Sequence, residues 1–211
     1  MRNTEIKRNN KLSKSIIYAL AILTILLMLY YVVMRAFPML QPTQEVYGNY
    51  FFPRAVWLFP HILLGIVAIL IGPFQFIKKF RNKYLKLHRN LGKIYIISVV
   101  LSGLLGMYLA ATSNVNLTYA VGLFFLGVTW AGTAIMAFIS IKKKKIELHK
   151  EWMIRSYVIT FAFVTFRVIE DVLKITTEYS NVDVLTLMSW TSWAIPLFIA
   201  ELFIQGKKLS N

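Results

Sequence analysis

Residues 147–171 read ELHKEWMIRSYVITFAFVTFRVIED. From Trp152 to Ile175 the run is apolar enough to enter a bilayer, yet His149, Arg155, Arg167, Glu170 and Asp171 stand in it or beside it. Hydrocarbon offers no water to a charge, so ionisable groups on a spanning helix pair with one another or line a cavity. The stretch therefore predicts a transmembrane helix that faces the interior of a bundle along most of its length.

The rest of the chain agrees with a membrane setting. Of 211 residues 57% are hydrophobic and the mean hydropathy is +0.59, whereas soluble domains sit near ~45–50% apolar. A net charge of +15 would suggest nucleic acid in a soluble protein. Here the basic residues fall between apolar runs, which points to anionic headgroups and leaves no nucleic-acid partner. The absence of cysteine excludes disulfides, thiolate metal sites and cysteine nucleophiles.

Six stretches suit a hydrocarbon core that needs ~20 apolar residues: about 16–35, 55–77, 91–112, 118–141, 152–175 and 187–205. Residues 1–14 form a basic tail and 206–211 a second tail, leaving 15–205 as the transmembrane domain. The first span is too long for a signal-peptide core, and no small-residue cleavage site follows in RAFPML. Arg2, Lys7, Arg8, Lys11 and Lys14 lie on one side with Lys78, Lys79, Arg81, Lys83, Lys86, Arg89 and Lys93. Lys142, Lys143, Lys144, Lys145, Lys150, Lys207 and Lys208 share that side, against only Arg35, Arg54 and Lys174 on the other. The positive-inside rule then places both termini in the cytoplasm. The expectation is an all-α, six-helix polytopic protein, N-in and C-in, of a bacterial cytoplasmic membrane. No loop is long enough to build a soluble core of its own.

Three segments carry a resemblance: HILLGIVAILIGPFQFI, LHRNLGKIYIISVVLSGLLGMYLA and HKEWMIRSYVITFAFVTFRV. In this order they resemble a family of bacterial predicted membrane proteins catalogued as domain of unknown function 2306, over roughly residues 55–170. The resemblance implies a multi-pass topology and marks His61, Gln75, His88, Arg89, Gly92, His149, Trp152, Arg155 and Arg167. It implies no activity. Within the chain, KLHRNLGKIY and ELHKEWMIRSY echo each other and set His88 and His149 at equivalent helix starts, 61 residues apart.

Counting ~1.5 Å per helical residue gives depths. His61, Arg167, Glu170 and Asp171 are expected at one outer level, with a carboxylate at i+3 or i+4 neutralising Arg167. Gln75, His88, Lys93, Tyr95, His149, Arg155 and Glu201 are expected at the cytoplasmic end, where Arg155 and Glu201 are free to pair. Histidines at helix N-termini sit at the positive end of the dipole, which favours the neutral, ligating imidazole. His88 and His149 could then share a haem b iron or a divalent metal, and His61 could hold an outer haem with Met107, Met188 or an open position. Three histidines permit only one bis-histidine site. Lys78, Lys79, Arg81, Arg89 and the run Lys142, Lys143, Lys144 and Lys145 read as contacts to anionic lipid.

No phosphate loop, zinc-protease or nucleophile-elbow signature occurs. The sequence thus predicts a non-enzymatic carrier or accessory protein with a polar intramembrane site. It works alone, as a homo-oligomer or beside a membrane-protein partner. A haem- or metal-binding redox protein is the first alternative and a lipid-headgroup-modifying enzyme the second. GLLG and GVTWAGTA read as close helix packing.

Overall fold

The computed structural model describes Ser15 and residues 19–210, so the expected tail 1–14 lies outside it. The described residues are helical, without a strand: α1 (Ala19–Ala36), α2 (Gln44–Phe51), α3 (Ala55–Phe76), α4 (Lys78–Lys83), α5 (Leu85–Ala111), α6 (Leu117–Lys142), α7 (Ile146–Thr160), α8 (Ala162–Thr176) and α9 (Asn181–Leu209). Five helical stretches among them are long and apolar enough to cross a membrane: Ala19–Ala36, Gln44–Phe76, Leu85–Ala111, Leu117–Lys142 and Asn181–Leu209. The α5 helix starts at Leu85, so His88 and Arg89 stand on its first turns and not in a loop.

The fifth expected span divides at Phe161 into α7 and α8, of 15 residues each. Neither half alone is long enough to cross ~30 Å of hydrocarbon. The division has a local cause. The Thr160 hydroxyl donates to the Ser156 carbonyl at 2.9 Å, a back-bond that bends helices. The Phe161 N–H is shared between the Tyr157 and Val158 carbonyls at 3.0 and 3.2 Å, and the Val164 N–H turns to Phe161 at 2.9 Å. The ladder tightens for one turn and the axis bends.

Packing follows the small residues. Helices α3, α5, α6 and α7 form a ring in which α3 touches α5, α5 touches α6, α6 touches α7 and α7 returns to α3. A Cβ on Gly103 would stand 3.2 Å from the Gly127 carbonyl and 3.3 Å from the Ala131 methyl, so α5 and α6 meet nearly backbone to backbone. Helix α9 lies against α6, α7 and α8. Helix α1 closes the other flank, packing Met28, Tyr31 and Val32 with Ile66 and Ile69 of α3 and Val164 of α8.

At the connection from α6 to α7, Lys144 takes a left-handed conformation with φ 59°. Its N–H bonds Ile141 O at 3.0 Å and the Lys145 N–H bonds Ser140 O at 2.9 Å. This is the two-bond helix stop that glycine usually makes. The lysine run therefore builds the turn as well as carrying its charge.

Proline explains a second contact. Pro73 lies inside α3 and has no N–H, which leaves the carbonyl of Ile69, four residues back, without its helical donor. The Tyr157 hydroxyl donates to that carbonyl at 3.1 Å. The ring reaches it by lying where a side chain on Gly72 would be, since a Cβ there would fall 1.9 Å from the Tyr157 ring. Tyr157→Phe should cost about 1–3 kcal/mol by orphaning a buried acceptor. In a Pro73→Ala background, where the ladder supplies the donor, most of that loss should vanish. Thermal unfolding of the four proteins in one detergent measures the difference, and equal losses in both backgrounds would refute the account.

Candidate functional site

Where hydrocarbon surrounds the bundle, its polar groups must find partners inside. Tyr95 on α5 is fully buried and crosses the ring to α7. Its hydroxyl lies 2.9 Å from Ser156 Oγ and 2.9 Å from Thr160 Oγ1. The Trp130 indole of α6 donates to the same Thr160 oxygen at 2.8 Å. Three helices thus meet at one buried polar node.

Beside it, between α6, α7 and α9, lies a cleft of about 370 Å³ lined by Thr129, Thr133, Trp152, Arg155, Trp193, Ala194, Leu197, Phe198 and Glu201. Pockets of ~300–1,000 Å³ hold small-molecule ligands. Arg155 is 8% exposed. Its Nε donates to Glu201 Oε2 at 2.7 Å and its Nη2 to Glu201 Oε1 at 3.0 Å, the fork-to-carboxylate geometry that strengthens such pairs. Glu151 Oε2 lies 3.7 Å from Nη1 and accepts from Lys208 at 2.8 Å. The guanidinium carbon stands 4.7 Å from the Trp152 ring centroid. Arg155 Nη1 and Trp152 Nε1 are buried and make no hydrogen bond, Nη1 facing only the Glu151 carboxylate.

Of the expected inner residues, Arg155 and Glu201 meet. Gln75 does not join them: it is buried against Gly92, where a Cβ would stand 3.1 Å from its Oε1, and its Nε2 has no partner. His149 places Nδ1 2.9 Å from the Ala137 carbonyl. His88 lies near Arg81, His149 and Arg89, and its Nδ1 is buried without a hydrogen bond. His88 precedes Tyr95, and His149 precedes Ser156, by seven residues each. Two turns of helix thus carry both imidazoles to the same end of the ring. Among the described residues no three His, Asp or Glu side chains come together as a metal site.

His61 bonds across to α5. Its Nδ1 lies 2.9 Å from the Ser102 carbonyl and 3.1 Å from Ser102 Oγ, which itself donates to His61 O at 2.9 Å. The two carboxylates beyond it take different partners, and Glu170 is the one that pairs with Arg167. Glu170, 5% exposed, accepts from Arg167 Nη1 and from Lys174 Nζ, each at 2.7 Å. Asp171 instead leaves for α1, accepting from Tyr31 Oη at 3.0 Å and Arg35 Nη2 at 2.9 Å. The arginine sits in a π-helical turn, Val32–Ala36, a widening common where a side chain must be re-aimed.

The partners Ser156, Thr160, Lys174, Tyr31 and Arg35 escaped sequence reading. A signal did exist for the first two: hydroxyls one turn apart on the helix already read as facing inward. None existed for α1, whose pairing spans 136 residues in the case of Arg35. The lysines Lys78, Lys79, Lys142, Lys143, Lys144 and Lys145, with Arg89, are exposed and Arg81 is half-buried.

Because Glu170 holds two cations, losing one is tolerable and losing both is not. Arg167→Ala alone should cost about 1 kcal/mol, since that side chain is part exposed. Arg167→Ala with Lys174→Ala should cost about 3–5 kcal/mol by stranding a buried carboxylate. A double-mutant cycle of unfolding midpoints tests this, and simple additivity would contradict it.

Residues 58–204 match the family model described as a predicted membrane protein, domain of unknown function 2306. No curated protein and no solved structure matches the chain.

Proposed function

The chain belongs to this family of predicted membrane proteins, and on that premise we propose that it is a non-enzymatic carrier or accessory protein. Its ligand is a small amphiphile that enters the cleft between α6, α7 and α9 from the bilayer. One observation carries the reading. A cleft of about 370 Å³ with an apolar wall of Trp193, Ala194, Leu197 and Phe198 beside the Arg155–Glu201 pair has the size of a small-molecule pocket. Phe198, which lines the cleft, is 64% exposed on a helix apolar enough to cross the membrane, so the mouth faces lipid.

In this reading α7 and α8 act in series as a sixth crossing, ~45 Å of helix in all. Both termini are cytoplasmic in a bacterial cell membrane. The three cations that run against the positive-inside pattern support that orientation, because each has a local role. Arg35 holds Asp171, Lys174 holds Glu170 and Arg54 donates to the Thr112 carbonyl. The chain has no cysteine, so single introduced cysteines report topology without background. In spheroplasts, Tyr179→Cys should react with an impermeant maleimide and Lys143→Cys only after lysis; the reverse pattern would overturn the orientation.

A second reading rests on His88 and His149, which would hold a haem b iron between their imidazoles. Two features favour that group: the His149 Nδ1 contact to a backbone carbonyl is the support that ligating histidines commonly have, and the buried His88 Nδ1 makes no hydrogen bond. Such a haem would supply one-electron chemistry.

One purified sample separates the two. Under the first reading, native mass spectrometry shows a bound amphiphile that Ala194→Trp expels, with no Soret absorbance. A Soret band abolished by His88→Ala or His149→Ala would establish the second reading. A parent protein with neither signal would refute both.

A further inference from the structure

We propose that the cleft between α6, α7 and α9 is a slot for one hydrocarbon chain of a membrane lipid, recognising the tail and leaving the head outside; the inference rests on the cleft being a ligand site. Six of its nine lining residues carry polar side-chain atoms, yet the surface it presents is almost wholly apolar. The hydrogen bonds explain this. The Thr129 hydroxyl donates to Phe125 O at 2.7 Å and the Thr133 hydroxyl to Thr129 O at 2.9 Å. The Trp193 indole donates to Ser189 O at 2.8 Å. Arg155 and Glu201 close on each other through two bonds, and Trp152 Nε1 is buried. Each polar group is bonded within the protein or covered, which leaves carbon to line the space.

An apolar space of this kind stays dry, and left empty it forfeits dispersion contacts along its walls. Its mouth at the exposed Phe198 faces hydrocarbon, so the filler at hand is an acyl chain. On α9 the lining runs from Trp193 to Glu201, ~12 Å along the helix, which is the direction in which lipid chains lie. Trp193 and Ala194 stand at the end nearer the middle of α9, and Arg155 and Glu201 at the end nearer its polar C-terminus. Around that second end Arg155 pairs with Glu201, Lys208 with Glu151 and Lys150 with Glu147. These pairs cancel, and none offers a lipid head a free opposite charge. Lipid tails are as apolar as the walls, so transfer alone contributes little and fit decides. A chain too short leaves a void, and one too long meets Trp193.

Full-length protein in glyco-diosgenin, a steroid detergent without an acyl chain, is titrated with monoacylglycerols from octanoyl to octadecanoyl. Binding is read by native mass spectrometry and ligand-induced thermal shift, against mole fraction in the micelle. Affinity should pass through a maximum at one chain length and fall about threefold or more on either side of it. At that length the free fatty acid and the alkyl trimethylammonium should bind within about threefold of the glycerol ester, because the charges at the mouth cancel. Ala194→Leu adds bulk at the Trp193 end and should move the maximum to a shorter chain; Ala194→Trp should abolish binding. If affinity follows head charge and not chain length, while Ala194→Trp still blocks it, the cleft reading stands and the chain inference falls. A maximum that Ala194→Leu does not move also refutes the slot. If no probe binds, or Ala194→Trp changes nothing, the cleft reading itself falls. The chain series on the parent protein decides length preference even where a variant fails to fold.

Discussion

A buried tyrosine in the middle of a helix ring is the constraint on which the rest depends. Tyr95 brings a hydroxyl into a place without water, and Ser156, Thr160 and Trp130 answer it. Once Thr160 serves that node while back-bonding to Ser156, the helix that carries it bends at Phe161. The bend ends α7 and starts α8, and α8 then delivers Glu170 and Asp171 to two separate partners. The same node stands beside the wall of the cleft, since Thr129 and Thr133 flank Trp130 on α6. Hydrogen-bond satisfaction at one level of the bundle thereby shapes the geometry on both sides of it.

Charge is handled by a different device at each end. Near the cleft a fork of two bonds couples Arg155 to Glu201, and the surrounding charges cancel. At α8 a single carboxylate, Glu170, serves two cations, and Asp171 ties α8 to α1 through Tyr31 and Arg35. Each arrangement stabilises a register between helices that apolar contacts alone would leave loosely specified.

Most of the architecture was legible in the sequence because hydrophobic run length maps directly onto span length. The close packing read from GLLG and GVTWAGTA reappears as Gly103 against Gly127. The family was legible from three segments in order. What escaped were long-range pairings and the local bend. Nothing in the residues near Asp171 states that its cation lies on the first helix, and the break after Thr160 rests on local hydrogen bonds that no periodicity announces. The cleft escaped too, since a space between helices is a property of packing and leaves no pattern along the chain. The His88 and His149 echo was visible, and its meaning grew once Tyr95 and Ser156, also 61 residues apart, proved to touch.

The bond between Asp171 and α1 also bears on how the protein is made. As α8 leaves the ribosome it carries Arg167, Glu170 and Asp171 within one helical segment. Arg167 and Lys174 lie within the same segment as Glu170, so that carboxylate enters already neutralised. The partners of Asp171, Tyr31 and Arg35, were synthesised 140 and 136 residues earlier and by then stand in the membrane. Helix α1 is thus complete before the segment that it binds. Deleting it removes a packing surface from the bundle and both partners of Asp171.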